Sequence, residues 1–412
     1  LNLTSEATNA PGIIMGPPDS ANRMAGVSVE SFERMRDRLL QNASREAQTG
    51  LGAAEEEARM LGNIEGAFAV GTDGSLTNTL NSFWNAWSDV ADNPTDTGAR
   101  QSLLSKAESL TTAFNRIDQD LERLTTEATT QLEGGVDSAN SLINRLADLN
   151  NQISQARAGG SPNLSAEDER DQVVKQLSEF APVNVQENDD GYTVSINGKT
   201  VVQGDTAQTL EIDGASGTLE LAGTDTALRL SNEDGKLGAW THTLSTTLPG
   251  IRGELDQLAS DVTTEVNALH QGGYGLNDAT GGRNFFDPGG TSAGTIAINA
   301  SLSPDQIAAS SAPNENGNAD NALNIFDLRN TSGIDDDAIS LVSDVGSRLS
   351  SASKRASAES AVLTQAEGME RGVSGVSLDE EMANLIEHQQ GYAASARIVR
   401  TAQEMMDTLL SL

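Results

Sequence analysis

The chain has no cysteine, so disulfides and thiolate metal sites are excluded from the outset. Its 3 histidines, His242, His270 and His388, stand far apart in sequence, which argues against a transition-metal centre. Aromatic residues make up only 3%, so any core must rest on Leu, Val, Ile and Ala. Positive charge is scarce: 26 Lys+Arg face 60 Asp+Glu, leaving a formal net charge of −34. A surface this acidic repels nucleic acid and anionic membranes, so neither is expected as a partner. No run of 18 apolar residues occurs, so no segment reads as a transmembrane helix and no membrane insertion is expected. What is present is 412 residues at 37% hydrophobic, enough for two or three domains with cores and too apolar for a wholly disordered acidic chain. Arg far outnumbers Lys among the few cations. Such a surface stays hydrated when salt screens its self-repulsion, which points to a saline environment.

The chain opens on Leu1-Asn2-Leu3-Thr4, without Met and without a basic-then-apolar leader. The expectation is a start inside a longer chain. Pro11, Gly12, Gly16, Pro17, Pro18 and Gly26 make residues 1–26 loop-like. A helical pattern then runs from Val29 to about Ala69 through Phe32, Met35, Leu39, Ala43, Ala47, Leu51, Ala54, Ala58, Leu61 and Ile64. Leu76, Leu80, Phe83, Trp84, Trp87 and Val90 share one helical face. That aromatic stripe reads as a helix anchored in its own core rather than as a ligand groove. Asn93-Pro94 ends it, because the residue before proline is pushed out of the helical region. Asp96 or Thr97 can cap the next helix.

The clearest pattern follows. Leu103, Ala107, Leu110, Phe114, Ile117, Leu121, Leu124 and Ala128 alternate steps of four and three, a heptad seam of the coiled-coil type. Gly134-Gly135 are candidates to bend or break it, and the stripe resumes through Val136, Ala139, Ile143, Leu146, Leu149 and Ile153 before Gly159-Gly160-Ser161-Pro162. A continuous helix from Leu103 to Ile153 would span roughly 75 Å, too long for a compact sphere, so the molecule is expected to be elongated. Further helical stripes cover Leu244, Leu248, Ile251, Leu255, Leu258, Val262, Val266 and Leu269, and then Leu341, Val345, Leu349, Ala352, Ala356 and Leu363. Between them the period changes to two. Val183, Val185, Tyr192, Val194 and Ile196, with turns at Asp190-Gly191 and Asn197-Gly198, read as hairpin strands, and Val201-Val202, Leu210, Ile212, Leu219, Leu221, Leu228 and Leu230 continue them. Turn signals at both ends of this module predict that the helical rod folds without it. Residues 272–336 are rich in Gly, Asn and Asp, with a β-like run at Ile296–Ile298, and are expected to be ordered only in patches.

The fold class expected is α+β: an elongated, mainly α-helical rod of long heptad helices with an inserted small antiparallel β domain and a C-terminal coiled-coil helix. The rod occupies residues 1–181, 237–271 and 337–376. The β domain is 182–236, the Gly/Asn/Asp-rich region 272–336 and the terminal helix 377–412.

That terminal helix is the candidate site. Ser377 and Glu380 form a capping box. Leu378, Met382, Leu385, Gln389, Tyr392, Ala396, Val399, Gln403, Met406 and Leu410 then repeat at heptad spacing, and Ile386, Ile398, Ala402, Met405 and Leu409 widen the apolar face. No equally apolar helix lies nearby in sequence, so this face is expected to want a partner and to serve as an assembly interface. Gln389 and Gln403 would set register or oligomer state. Catalytic material is thin. Asp189-Asp190 and Asp335-Asp336-Asp337 are adjacent carboxylates that diverge and cannot flank one bond. Asp118-x-Asp120-x-Glu122 resembles the start of a calcium loop but lacks the turn glycine and lies in the heptad helix. Catalytic, metal and cofactor sites are all expected to be absent.

The run Val373-Ser-Gly-Val-Ser-Leu-Asp-Glu-Glu-Met-Ala-Asn-Leu385, with Gln389-Gln-Gly-Tyr392, Ala393–Ile398 and Thr401-Ala-Gln-Glu-Met-Met-Asp-Thr-Leu409, resembles the C-terminus of the bacterial flagellar rod, hook and hook-associated axial proteins. Internal segments agree in order: Leu80-Asn-Ser-Phe-Trp-Asn-Ala-Trp-Ser-Asp89 with Asn93-Pro94-Thr95, Ala147-Asp-Leu-Asn-Asn-Gln-Ile153, Glu169-Arg-Asp-Gln172, Val185-Gln-Glu-Asn-Asp-Asp-Gly191 and Glu265–Leu276. The family opens with a heptad helix and an Asn-rich segment that this sequence does not contain. The resemblance implies a junction adaptor between hook and filament, exported unfolded through the flagellar type III apparatus without a cleaved signal and assembled outside the cell. The partners it implies are the hook protein, a second hook–filament junction protein, further copies of itself in a ring, and an export chaperone. Another axial protein, or a surface-binding module built on the β insertion, are the alternatives.

Overall fold

The computed structural model describes residues 3–4, 33–34, 38–68, 72–160, 162–188, 191–214, 217–374 and 378–410. Leu3–Thr4 (β1) pairs antiparallel with Glu33–Arg34 (β2), so the helical pattern beginning at Val29 does not hold there. The first helix, α1, spans Arg38–Ala67. The rest of residues 1–37 and the box residue Ser377 lie outside the described residues.

Helix α2 (Leu76–Asp92) begins where the Ser75 side chain accepts the Asn78 N–H at 3.4 Å and stops before Asn93-Pro94. Asp96 caps α3 by accepting the Gly98 N–H at 2.7 Å. Helix α3 then runs 62 residues, Thr97–Ala158, without a break. At 1.5 Å per residue it is about 93 Å long, the axis of an elongated rod. Gly134-Gly135 do not interrupt it. A Cβ on Gly135 would sit 2.2 Å from the Trp240 ring, whereas nothing lies within 4 Å at Gly134. Gly135 is therefore a place of close approach, not a hinge. Gly160, at φ +75°, turns the chain out of α3 into α4 (Leu164–Phe180), capped by Asn163.

Six strands follow. Val183–Asn188 (β3), Gly191–Ile196 (β4), Lys199–Gln203 (β5) and Thr206–Ala207 (β6) form an antiparallel sheet in sequence order, and Leu210–Ile212 (β7) pairs with Leu219–Leu221 (β8). The β4–β5 hairpin turns through Asn197 and Gly198, both at positive φ, the geometry a two-residue turn needs to match strand twist. Helix α5 (Gly235–His242) passes through a π-helical stretch, Thr243–Thr247, into α6 (Leu248–Gly272). Pro249 offers no N–H and its ring crowds the carbonyl one turn back, which accounts for the widened turn before it. Helices α7 (Asp320–Thr331), α8 (Ile334–Ser374) and α9 (Leu378–Leu410) complete the chain.

Two cores lie along α3. The first gathers Leu103–Ala128 with the apolar faces of α1, α2, α6, α7 and the start of α8. The predicted aromatic stripe is its centre: Phe83, Trp84 and Trp87 pack with Phe285 and Phe286 at centroid distances of 5.0–6.4 Å. The second gathers Leu132–Ile153 with α4, α5 and the sheet, where Val194, Ile196, Val201, Val202, Leu210 and Leu219 are buried. The β module thus shares one core with the lower rod. This corrects the expectation that the rod folds without it, because removing the module would uncover that half of α3.

Helices α1 and α8 run antiparallel and close together: Gly50 lies beside Glu359, Glu57 beside Arg355, Gly62 beside Leu349 and Glu65 beside Gly346. Between α6 and α7, residues 273–319 form a continuous cap over the first core rather than patchy coil. Side chains of the neighbouring helices supply the backbone partners that this irregular segment lacks. Asn267 both accepts the Phe286 N–H (2.9 Å) and donates to its carbonyl (3.1 Å). Asn115 donates to the Ala293 carbonyl (2.7 Å), and Asn321 to that of Ala308 (2.7 Å). The buried Arg100 donates to the carbonyls of Pro94 (2.8 Å) and Ile307 (2.6 Å).

Candidate assembly interface

Helix α9 has 33 residues and is about 50 Å long. Ala, Leu, Met, Glu, Gln and Arg make up much of it, and Gly391 is its weakest helix former. Among the described residues no element packs along it. Its heptad seam therefore faces solvent. Met382, Leu385 and Met406 are exposed, Tyr392 is 78% exposed and Val399 40%. Gln389, Ala396 and Gln403 are exposed on the same line. Leu378 and Leu410 begin and end the helix, and their side chains lie outside the described part. Ile386, Ile398 and Met405 widen the exposed face. The seam residues from Met382 to Met406 thus share one exposed face, against which no element packs among the described residues.

The carboxylate groups singled out above are engaged elsewhere. Asp118 and Glu122 both hold Arg252 of α6, and the guanidinium's bond to Asp118 (2.8 Å) leads the causes that raise its pKa. Asp120 pairs with Arg123 at 3.1 Å. Asp335 accepts the indole N–H of Trp84 at 2.7 Å and lies 3.7 Å from Arg329. The Arg252 pairs dock α6 on α3, and the Asp335 contacts dock α8 on α2 and α7. Asp189-Asp190 lie outside the described residues. No group of three or more His, Asp or Glu that could hold a metal ion occurs among the described residues.

The three histidines stay apart. His242 ends α5 and His388 is exposed on α9. His270, at the end of α6, is fully buried against Trp87 and Phe285. Its Nδ1 lies 2.7 Å from the Arg283 carbonyl, and its Nε2 accepts the Ala308 N–H at 3.0 Å. That pairing fixes a neutral ring with the proton on Nδ1. Burial pushes its pKa down to about 4. Sequence reading missed this joint. A signal was available: Asn267 and His270, three apart, interrupt the buried stripe of α6 with polar groups just before Gly272-Gly273.

Known proteins resemble this sequence over nearly all of its length. The model of the flagellar hook-associated protein FlgK helical domain matches residues 61–286. That span covers α2–α6, all of the second core and the α2, α3 and α6 part of the first. The model of the flagellar basal body rod FlgEFG protein C-terminal region matches residues 372–412, which contain α9. Flagellar hook-associated protein 1 of Bacillus subtilis is 27% identical over 460 residues, covering 99% of this chain and 90% of the relative. The protein of that name from Escherichia coli is 26% identical over 499 residues, covering 94% and 90%. A solved structure, the flagellar hook junction protein FlgK from Burkholderia pseudomallei, shares the fold with a TM-score of 0.53 at 24% identity. That match takes in 60% of this chain and 46% of the solved one, less than half of its length. With more than half of its residues matched by the helical-domain model and its terminal helix by the rod C-terminal model, the chain belongs to the FlgK family of flagellar hook-associated proteins.

Proposed function

We propose that this chain is a structural adaptor of the bacterial flagellum that assembles at the hook tip and joins hook to filament. The observation that carries the reading is the bare heptad seam of α9 on a rod whose own cores are closed. A rod with a finished interior and an unfinished terminal helix is built to be completed by further helices, an N-terminal heptad helix of the kind the family carries and neighbouring subunits. The interface residues are Leu378, Met382, Leu385, Gln389, Tyr392, Ala396, Val399, Gln403, Met406 and Leu410. Burial of one such apolar side chain contributes about 1.5–3 kcal/mol, so several together would hold a subunit in place. The partners in this reading are the hook protein on one side, a second junction protein on the other, and neighbouring copies in a ring. An export chaperone would shield the same apolar face before assembly. The chain would reach the outside of the cell unfolded, through the flagellar export apparatus, without a cleaved signal. The role is structural, not enzymatic, in keeping with carboxylates tied up in docking contacts.

Replacing Leu385 by Asp tests the reading. Purified variant and parent should melt alike, because the side chain is exposed in the free chain. Cells carrying the variant should keep hooks, shed filament subunits into the medium and fail to swim. Global unfolding of the variant, or normal incorporation at the hook tip, would contradict the interface.

A further inference from the structure

We propose that His270 is an acid-sensitive latch: on protonation it releases the cap of residues 273–319, which opens before the helical rod unfolds. The geometry carries this. The ring clamps two distant points of the cap, the Arg283 carbonyl through Nδ1 and the Ala308 N–H through Nε2. The second contact needs a lone pair. A proton on Nε2 sets donor against donor at 3.0 Å, inside a site that holds no water-exposed surface. The charged groups that bear on the ring do not offset it. Arg100 from α3 and Arg283 from the cap are both cationic. The nearby carboxylates are already committed: Asp278 is paired with Arg283, and Asp305 lies near Arg100. Helix α2 presents Trp87 and α7 the amide of Asn321, neither charged, while Asn267 on α6 is held by Phe286. An imidazolium there has no counterion, so its charge weakens the closed cap relative to the open one, in which the ring meets water.

The cap is a separable unit by its attachments. Tyr274 and Ser310 exchange backbone hydrogen bonds at its base (2.8 and 3.1 Å), and Phe286 bridges Ile298 within it. Its polar grip on the rod runs through side chains, His270, Asn267, Asn321, Asn115, Arg100, Asp256 and Thr263, rather than through sheet or helix ladders, and Phe285, Phe286 and Ile296 add its apolar contact with the first core. Opening would bare Phe285 and Phe286 and the side of the aromatic core formed by Phe83 and Trp87.

The sign follows from linkage. The folded ring is held at a pKa of about 4 against 6.5 when free, so the open form binds more protons between those values. Cap stability is complete above pH 6.5, falls as pH drops toward 4 and levels off below. The opening equilibrium should grow by up to about 300-fold across that window.

Hydrogen exchange of the full chain by mass spectrometry from pH 7.5 to 3.5, corrected for intrinsic exchange, reads this directly. Peptides holding Tyr274, Phe286, Asp287, Ala308 and Ser310 should lose protection across the window while those of α3 keep theirs. His270→Gln, which cannot titrate, should remove the pH dependence. Equal loss in variant and parent, or simultaneous loss in cap and α3, would overturn the proposal. If the variant's cap is open even at pH 7.5, the parent decides. The ring resonance of His270, one of only 3 histidines, must titrate near pH 4, at the lower end of the window over which the cap amides lose protection. A ring that titrates near its free value of 6.5 while the cap amides stay protected overturns the latch as well.

Discussion

Helices α3 and α9 carry the same heptad pattern and meet opposite fates. From Leu103 to Ala128 every seam position of α3 is buried, walled in by α1, α2, α6, α7 and α8 of the same chain. From Met382 to Met406 every seam position of α9 whose side chain is described is exposed. Periodicity declares that a face is to be buried; it does not name the molecule that will bury it. In α3 the partner is intramolecular, and the seam contributes to the stability of the monomer. In α9 the exposed seam adds little to the described fold, and in the proposed function it is assembly that buries it.

The contrast breaks most sharply at the centre of the first core. Phe114→Ala should cost about 3–5 kcal/mol in urea denaturation, because a fully buried ring leaves a cavity. Val399→Ala, on α9, should leave the same curve unchanged. A matching loss at Val399 would mean that α9 belongs to the monomer core.

A smaller effect tests how tightly α3 is closed. Gly135→Ala would drive a methyl into Trp240 and should destabilise by about 1–3 kcal/mol, with a shift in tryptophan fluorescence as the indole moves. Salt should act more weakly still. Screening the −34 formal charge raises the melting midpoint between low and molar NaCl, on the order of 1 kcal/mol or about 2 °C. A flat midpoint would mean that pairs such as Arg252 with Asp118 and Glu122 already balance the surface locally. The smallest effect has the opposite sign to its neighbour. At Gly134 the space is open, so Gly134→Ala should stabilise by about 0.5–1 kcal/mol through helix propensity alone.

These neighbouring glycines also mark where the sequence was legible and where it was not. The helices of the rod, the Asp96 cap, the stop at Pro94 and the Asn197-Gly198 hairpin could be read because each is decided within a few residues. Gly134-Gly135 looked like a break because local propensity disfavours glycine in a helix. The residue that explains Gly135, Trp240, lies far along the chain. The cap failed for the same reason. Its Gly, Asn and Asp content signals a loop, and its order comes from Asn115, Asn267, His270 and Asn321, polar side chains on distant helices. The β module was recognised strand by strand, yet its burial against α3 and α4 required seeing which face of α3 was left open. For the candidate site, the α9 seam was fully legible as a pattern, and its exposure was the one property that only the fold could supply.

Because the chain is free of cysteine, a single introduced thiol reports on that seam without interference. The decisive measurement is the reaction rate of Tyr392→Cys with a water-soluble maleimide, in the purified chain and again in isolated hook–filament assemblies. Burial by partner chains predicts fast labelling in the free chain and labelling slowed at least about tenfold after assembly, since a thiol must be reached in water to react. Equal rates in both states would contradict the claim that assembly closes the seam.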